Sequence, residues 1–234
     1  MADEFPLGRV NLGDLRRTTP IARNFGFARG TPVDRFYIER FLRSHAEDVS
    51  GRVLEIGGNE YTIAFGGDRV SRSDVLHVSS DNPQATIVAD LTNAPQVPDE
   101  TFDCVVCTQT LQLIYDLQAA VATLHRILKP GGVLLATFPG ISQIDDAHWT
   151  SSWCWSLTPV SARRLFGGVF GPDGVQAVSC GNVLTAICFL HGIVTEELTE
   201  AELAVDDAAF PFLVTVRAVK RRDDRPGAGD APAR

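Results

Sequence analysis

The chain has no apolar run long enough to span a bilayer. Its 234 residues contain nothing close to the ~18–20 consecutive apolar positions that a membrane helix needs. It also lacks an excess of positive charge. Twenty-one Lys and Arg stand against 29 Asp and Glu, for a formal net charge of -8, whereas nucleic-acid backbones are held by cations that neutralise phosphates. Neither nucleic acid nor a membrane is therefore an expected partner. Five cysteines are too few for a disulfide framework at this length, which points to a reduced, cytoplasmic protein. The acidic start Met1–Glu4 is unlike a signal peptide. Neither an internal repeat nor the G-x-G-x-x-G spacing of a dinucleotide turn is found.

What is present is the composition of an ordinary globular protein, 44% hydrophobic with a mean hydropathy of +0.03. The length admits one full core with an elaboration. The organising stretch is Arg52–Tyr61 (RVLEIGGNEY). Val53, Leu54 and Ile56 make a short apolar run, Glu55 sits near its end, and Gly57-Gly58 breaks it, the pattern of a buried parallel strand with a tight turn at its carboxyl end. Ligands of open α/β sheets bind at that end. Ahead of it, Thr31-Pro32 reads as a helix start, and Val33, Phe36, Tyr37, Ile38, Phe41 and Leu42 recur at helical spacing.

Further strands are expected at Arg69–Ser73, ending at Asp74, then at Ala85–Ala89, Phe102–Cys107, Val133–Phe138, Val175–Ser179 and Phe212–Val219. Asn59–Phe65 is too short for a full crossover helix. Asp116 caps a helix carrying Leu117, Val121, Leu124 and Leu128, and Lys129–Gly132 stops it. Thr158-Pro159 starts another helix. Strands alternating with helical segments imply an α/β fold: a Rossmann-like, doubly wound, mostly parallel seven-stranded sheet with helices on both faces. Residues 1–30 read as an extended arm with a helical turn near Leu12–Arg17, and 223–234 as a disordered tail.

Three carboxylates follow successive strands: Glu55, Asp74 and Asp90. One placed after the second strand can accept hydrogen bonds from ribose hydroxyls, and one after the third from an adenine amine; as alternatives, each is a helix cap or a solvated turn residue. Cys104 and Cys107 form a CxxC, but three residues apart on a strand they face opposite sides, so buried thiols are expected and no metal.

The succession VLEIGG, SD, VADL, FDCVVCTQTLQ and LHRILKPGGVLLATFPG resembles the class I S-adenosylmethionine-dependent methyltransferases, type 11 group. FGFARGTPVDRFYIERFL and GNVLTAICFLHGI are similar to a bacterial subgroup associated with glycosyltransferases or natural-product pathways. The resemblance covers residues 30–140 best and implies S-adenosyl-L-methionine as cofactor. It implies that Gly57, with Gly58 and Asn59, lies against the methionine part, that Asp74 binds ribose, that Asp90 and the Leu91 backbone bind adenine, and that Thr108 borders the methyl-transfer site. Glu55 and Tyr37 are counted with this set, Tyr37 having core packing as its alternative role.

Two departures stand out. Asn59 and Tyr61 occupy positions where the family carries further glycines, so that Tyr61 either narrows the pocket or points away. Ser156 stands where Arg is expected. Residues 141–157, with Trp149, Trp153, Trp155 and His148, read as a lid inserted in a methyltransferase domain of 31–222. The tryptophans would clamp the acceptor, or else pack a minicore or a dimer contact, which leaves a homodimer open; His148 is the favoured base. The implied function is methyl transfer to a small-molecule acceptor, first of all O-methylation in secondary metabolism. The alternative is a methyltransferase-like protein that holds the cofactor structurally or catalyses a cyclisation.

Overall fold

The computed structural model describes residues 7–144 and 150–222. Seven strands form one sheet in the order β3-β2-β1-β4-β5-β7-β6: β1 Gly51–Ile56, β2 Val70–His77, β3 Ile87–Val88, β4 Phe102–Thr108, β5 Leu128–Pro139, β6 Val175–Cys180 and β7 Leu213–Val219. The first five are parallel, and β7 lies antiparallel between β5 and β6. This is the expected Rossmann-like, mostly parallel architecture. The strand order reverses between β1 and β4, so a crevice opens beyond their carboxyl ends.

Five α-helices cover the sheet: α1 Val33–Ser44, α2 Leu117–Ile127, α3 Pro159–Phe170, α4 Val183–His191 and α5 Glu200–Ala204. The apolar faces of α2 and α3 (Leu124, Ile127, Phe166 and Phe170) bury against one side of the sheet. On the other side Tyr37, Ile38 and Leu42 of α1 pack with Phe189 of α4 and Phe212. Asp116 caps α2 by accepting from the Ala119 N–H at 3.0 Å, and Thr158 caps α3 in a reciprocal pair with Ser161, both as the sequence implies. Between β1 and β2 only short helical turns occur at Thr62–Gly66 and Gly67–Arg69.

Cys104 and Cys107 are buried on opposite sides of β4. Burial pushes both thiols up, Cys107 to about 12. No cluster of metal-ligating side chains occurs among the described residues, and no helix among them is long and apolar enough to cross a membrane.

Candidate active site

The turn after β1 is built around Glu55. Its buried carboxylate accepts from the Thr62 N–H and hydroxyl, both at 2.7 Å, and from the Tyr61 N–H at 3.3 Å. Burial raises its pKa, with the Thr62 hydrogen bonds acting against that rise. Glu55 thus pins the returning chain and does not line the cleft, a correction to its expected place among the cofactor contacts. Gly57 takes φ +92° with open space where a Cβ would stand. Its N–H donates to the Leu76 carbonyl at 2.9 Å and its carbonyl accepts from Asn82 at 2.7 Å. An L side chain rarely adopts that backbone, and glycine leaves the concavity clear. Asn59 is not left-handed. Tyr61 points away: its hydroxyl accepts from Arg35 Nη1 at 3.1 Å, and its ring stacks on Phe65.

Beyond the switch point lies a cleft of about 600 Å³. It is walled by Ile56 and Gly57 after β1, His77 and Val78 after β2, Asp90 and Leu91 after β3, and Gln109, Thr110, Leu113 and Tyr115 after β4. That volume is within the range of cofactor sites. Asp90 is exposed and presents its carboxylate in a turn closed by the Thr92 N–H and hydroxyl, each at 2.8 Å. Gly57, Asp90 and Leu91 therefore meet in one place, Gly58 and Asn59 lie beside it in the same turn, and Thr108 ends the strand that leads into Gln109.

Two other expectations change. β2 runs to His77, so Asp74 lies inside the strand opposite Leu54. It is 1% exposed and held by Arg52 at 2.7 Å and Arg72 at 3.1 Å. It cannot reach the cleft, because the strand carries three more residues before its end. Tyr37 is fully buried, donates its hydroxyl to the Leu203 carbonyl at 3.0 Å, and packs edge-on to Phe212; packing, its alternative role, is the one it has.

A second, smaller cavity of about 200 Å³ adjoins the first, and Gln109 and Leu113 line both. The arm places Phe25 and Phe27 on it, α1 places Asp34, and the segments after β4 and β5 place Gln112, Ile141 and Ser142. Trp153 stacks on Phe25 at 6.4 Å and lines this cavity. Trp155 does not: its indole N–H donates to the Ile114 and Tyr115 carbonyls, and its ring stacks on Tyr115. His148 and Trp149 lie outside the described residues. Asp34, Gln109 and Gln112 escaped the sequence reading. In the sequence TQTLQ stands out only as part of the family resemblance, and nothing local brings the arm to it.

Residues 40–136 match the methyltransferase domain family. Over those residues the chain is similar to the class I methyltransferases of the type 11 group. It is 28% identical over 175 residues to the mitochondrial arginine-hydroxylase NDUFAF5 of Rattus norvegicus, covering 71% of this chain and 45% of that protein. To a probable S-adenosylmethionine-dependent methyltransferase of Mycolicibacterium smegmatis it is 32% identical over 118 residues, 50% of this chain and 39% of the other. The match thus spans less than half the length of either relative. Among solved structures, a SAM-dependent methyltransferase from Archaeoglobus fulgidus superimposes with a TM-score of 0.53 at 14% identity, over 80% of this chain and 94% of that one. That likeness speaks for the fold.

S-adenosylmethionine is the cofactor of this family. The cleft fits it: the open concavity at Gly57 suits close approach of a ligand, and the Asp90 carboxylate suits an amine or hydroxyl donor.

Proposed function

We propose that this protein is an S-adenosylmethionine-dependent methyltransferase acting on a small molecule, with oxygen as the first choice of acceptor atom. The observation that carries the reading is the pair of adjoining cavities sharing Gln109 and Leu113. One is of cofactor size at the switch point; the other is smaller, more aromatic and walled partly by the arm. A transfer enzyme needs two sites that touch.

Gly57, Asp90 and Leu91 would hold the cofactor, which when bound supplies an electrophilic methyl group. The chain then has to orient the acceptor in line, keep water out and receive a proton where the acceptor carries one. Gln109 stands at the junction. It adopts φ +46°, with its N–H directed to the Thr137 carbonyl and hydroxyl, both at 3.2 Å. A strained backbone at a cavity junction is a common mark of a positioning residue.

Titration calorimetry with S-adenosylhomocysteine tests the first half of this reading, and mass spectrometry of acceptor mixtures for a 14-Da gain tests the second. Binding without methylation of any acceptor would favour the structural or cyclising alternative. Absence of binding to folded protein would overturn the reading altogether.

A further inference from the structure

The smaller cavity is built unlike a core void. Five aromatic side chains border it: Phe25, Phe27, Trp153, Phe189 and Phe212. Phe25 stacks on Phe189 at 5.6 Å, and Phe189 meets Phe212 edge-on at 5.0 Å. Into this apolar box the fold brings two buried polar side chains, Asp34 at 7% exposure and Gln112 at 2%. Asp34 Oδ1 and Gln112 Oε1 take no hydrogen bond from any described residue. Native structures rarely leave buried acceptors so, and each such atom needs an explanation.

The backbone tells the same story independently. Four non-glycine residues among those described have positive φ, and three of them (Asn24, Phe25 and Gln109) border this one cavity. A phenylalanine at φ 57° is held there against its own preference. Strain of this kind persists where the surroundings over-determine it, typically around ligands.

Resting on the methyltransferase reading, we propose that this chamber is the acceptor site and that it takes a neutral, hydroxyl-bearing aromatic ring, a phenol, whose O–H is received by Asp34. The volume of about 200 Å³ exceeds the ~150 Å³ of an engineered apolar cavity that admits benzene, so one substituted ring fits. The rings of Phe25 and Trp153, inclined at 22°, offer faces for stacking. Charge selects the donor. Arg35 Nε already lies 3.9 Å from Asp34 Oδ1, and its guanidinium sits 5.7 Å from the centre of the Phe27 ring. An ammonium ligand would place a second cation beside it, whereas a neutral hydroxyl would not. Burial raises the Asp34 pKa, partly offset by Arg35, which suits a carboxylate that receives a proton.

The test uses the full chain, saturated with S-adenosylhomocysteine, and three probes: 4-methylphenol, its methyl ether 4-methylanisole, and 4-methylbenzylamine. Binding is read by calorimetry and tryptophan fluorescence. Saturable binding of the phenol is expected, at least about tenfold tighter than the ether, the scale of one lost hydrogen bond. Asp34→Asn and Trp153→Ala should each weaken the phenol by about tenfold while S-adenosylhomocysteine affinity stays within about twofold. Trp153 is only half-buried, so its variant keeps the test open should the Asp34 variant misfold. Equal binding of phenol and ether, tighter binding of the amine, or no binding of any probe to protein that does bind S-adenosylhomocysteine would each overturn the proposal. Failure to bind S-adenosylhomocysteine itself would instead strike the methyltransferase reading.

Discussion

Arg52 Nε donates to Asp74 Oδ2 at 2.7 Å, and the carboxylate so held is buried in the middle of a parallel strand. Arg52 is the first residue of the organising stretch and packs its guanidinium 5.1 Å from the centre of the Phe102 ring. The pair therefore staples β1 to β2 beneath the cleft and leaves the cleft to residues further along. Asp74→Ala should lower the unfolding free energy by about 1–3 kcal/mol, the cost of losing charged hydrogen bonds, and leave S-adenosylhomocysteine affinity within about twofold. Thermal unfolding and calorimetry on the same preparation check both halves.

Acid should probe the same pair. Burial pushes Asp74 up, but Arg52 and Arg72 outweigh it and hold the carboxyl below its ordinary value. A group with a depressed folded pKa stabilises the fold above its unfolded pKa and loses that contribution as pH falls through the folded value. The wild-type advantage over Asp74→Asn should hold from pH 7 to about pH 5 and shrink below about pH 4. An advantage that does not change down to pH 3 would refute the assignment.

Asp34 should behave in the opposite way. Its pKa is raised by burial against the partial offset of Arg35, so its contribution is greatest below the unfolded pKa and is lost as pH rises through the folded value. At pH 7, above the unfolded pKa, that elevation is a cost to the fold. Asn at this position should raise thermal stability by about 1–3 kcal/mol at pH 7, and the gain should narrow as the pH approaches about 4. A fold that gives up stability to keep a buried carboxylate in a cavity shows the usual trade between stability and function.

Asp90→Ala should do the reverse of Asp74→Ala. Asp90 is exposed, and its carboxylate accepts from the N–H and hydroxyl of Thr92 two residues on. Its loss should cost the empty protein under about 1 kcal/mol, yet weaken S-adenosylhomocysteine by about 1–3 kcal/mol. Calorimetry at constant temperature reads the second effect directly.

Gly57→Ala should harm both fold and binding. No described atom lies within 4 Å of the position a Cβ would take, so the substitution meets no clash in the protein. The cost comes from forcing an L-residue to φ +92°, about 1–2 kcal/mol, and the methyl group would occupy the concavity. Stability should fall by that amount and cofactor affinity by about tenfold or more.

The sequence by itself determined the succession of the seven strands, the helices α1 to α3, the positions of the caps at Asp116 and Thr158, and the glycine turn after β1, but not α4 and α5. These are local matters: a period of two or 3.6, a side chain that caps its own helix, a residue without a Cβ. It also placed Asp90, because Ala89 and Asp90 follow β3 directly. Tertiary structure decided the rest. The end of β2 moved from Asp74 to His77, because Val75 and Leu76 pair with Glu55 and Ile56 of β1, and strand pairing outlasts the alternation visible in RVSRS. Glu55 and Tyr37 were spent on packing and turn closure by partners Thr62 and Leu203, one nearby and one far along the chain. The acceptor chamber was legible only in part, through Trp153. It joins the arm at Phe25, the start of α1 at Asp34, the loop after β4 at Gln112 and the return at Phe212, and contacts across such separations leave no periodic trace in a single sequence. A cavity is defined by what the packed chain leaves unfilled, and that is settled only when all its walls are in place.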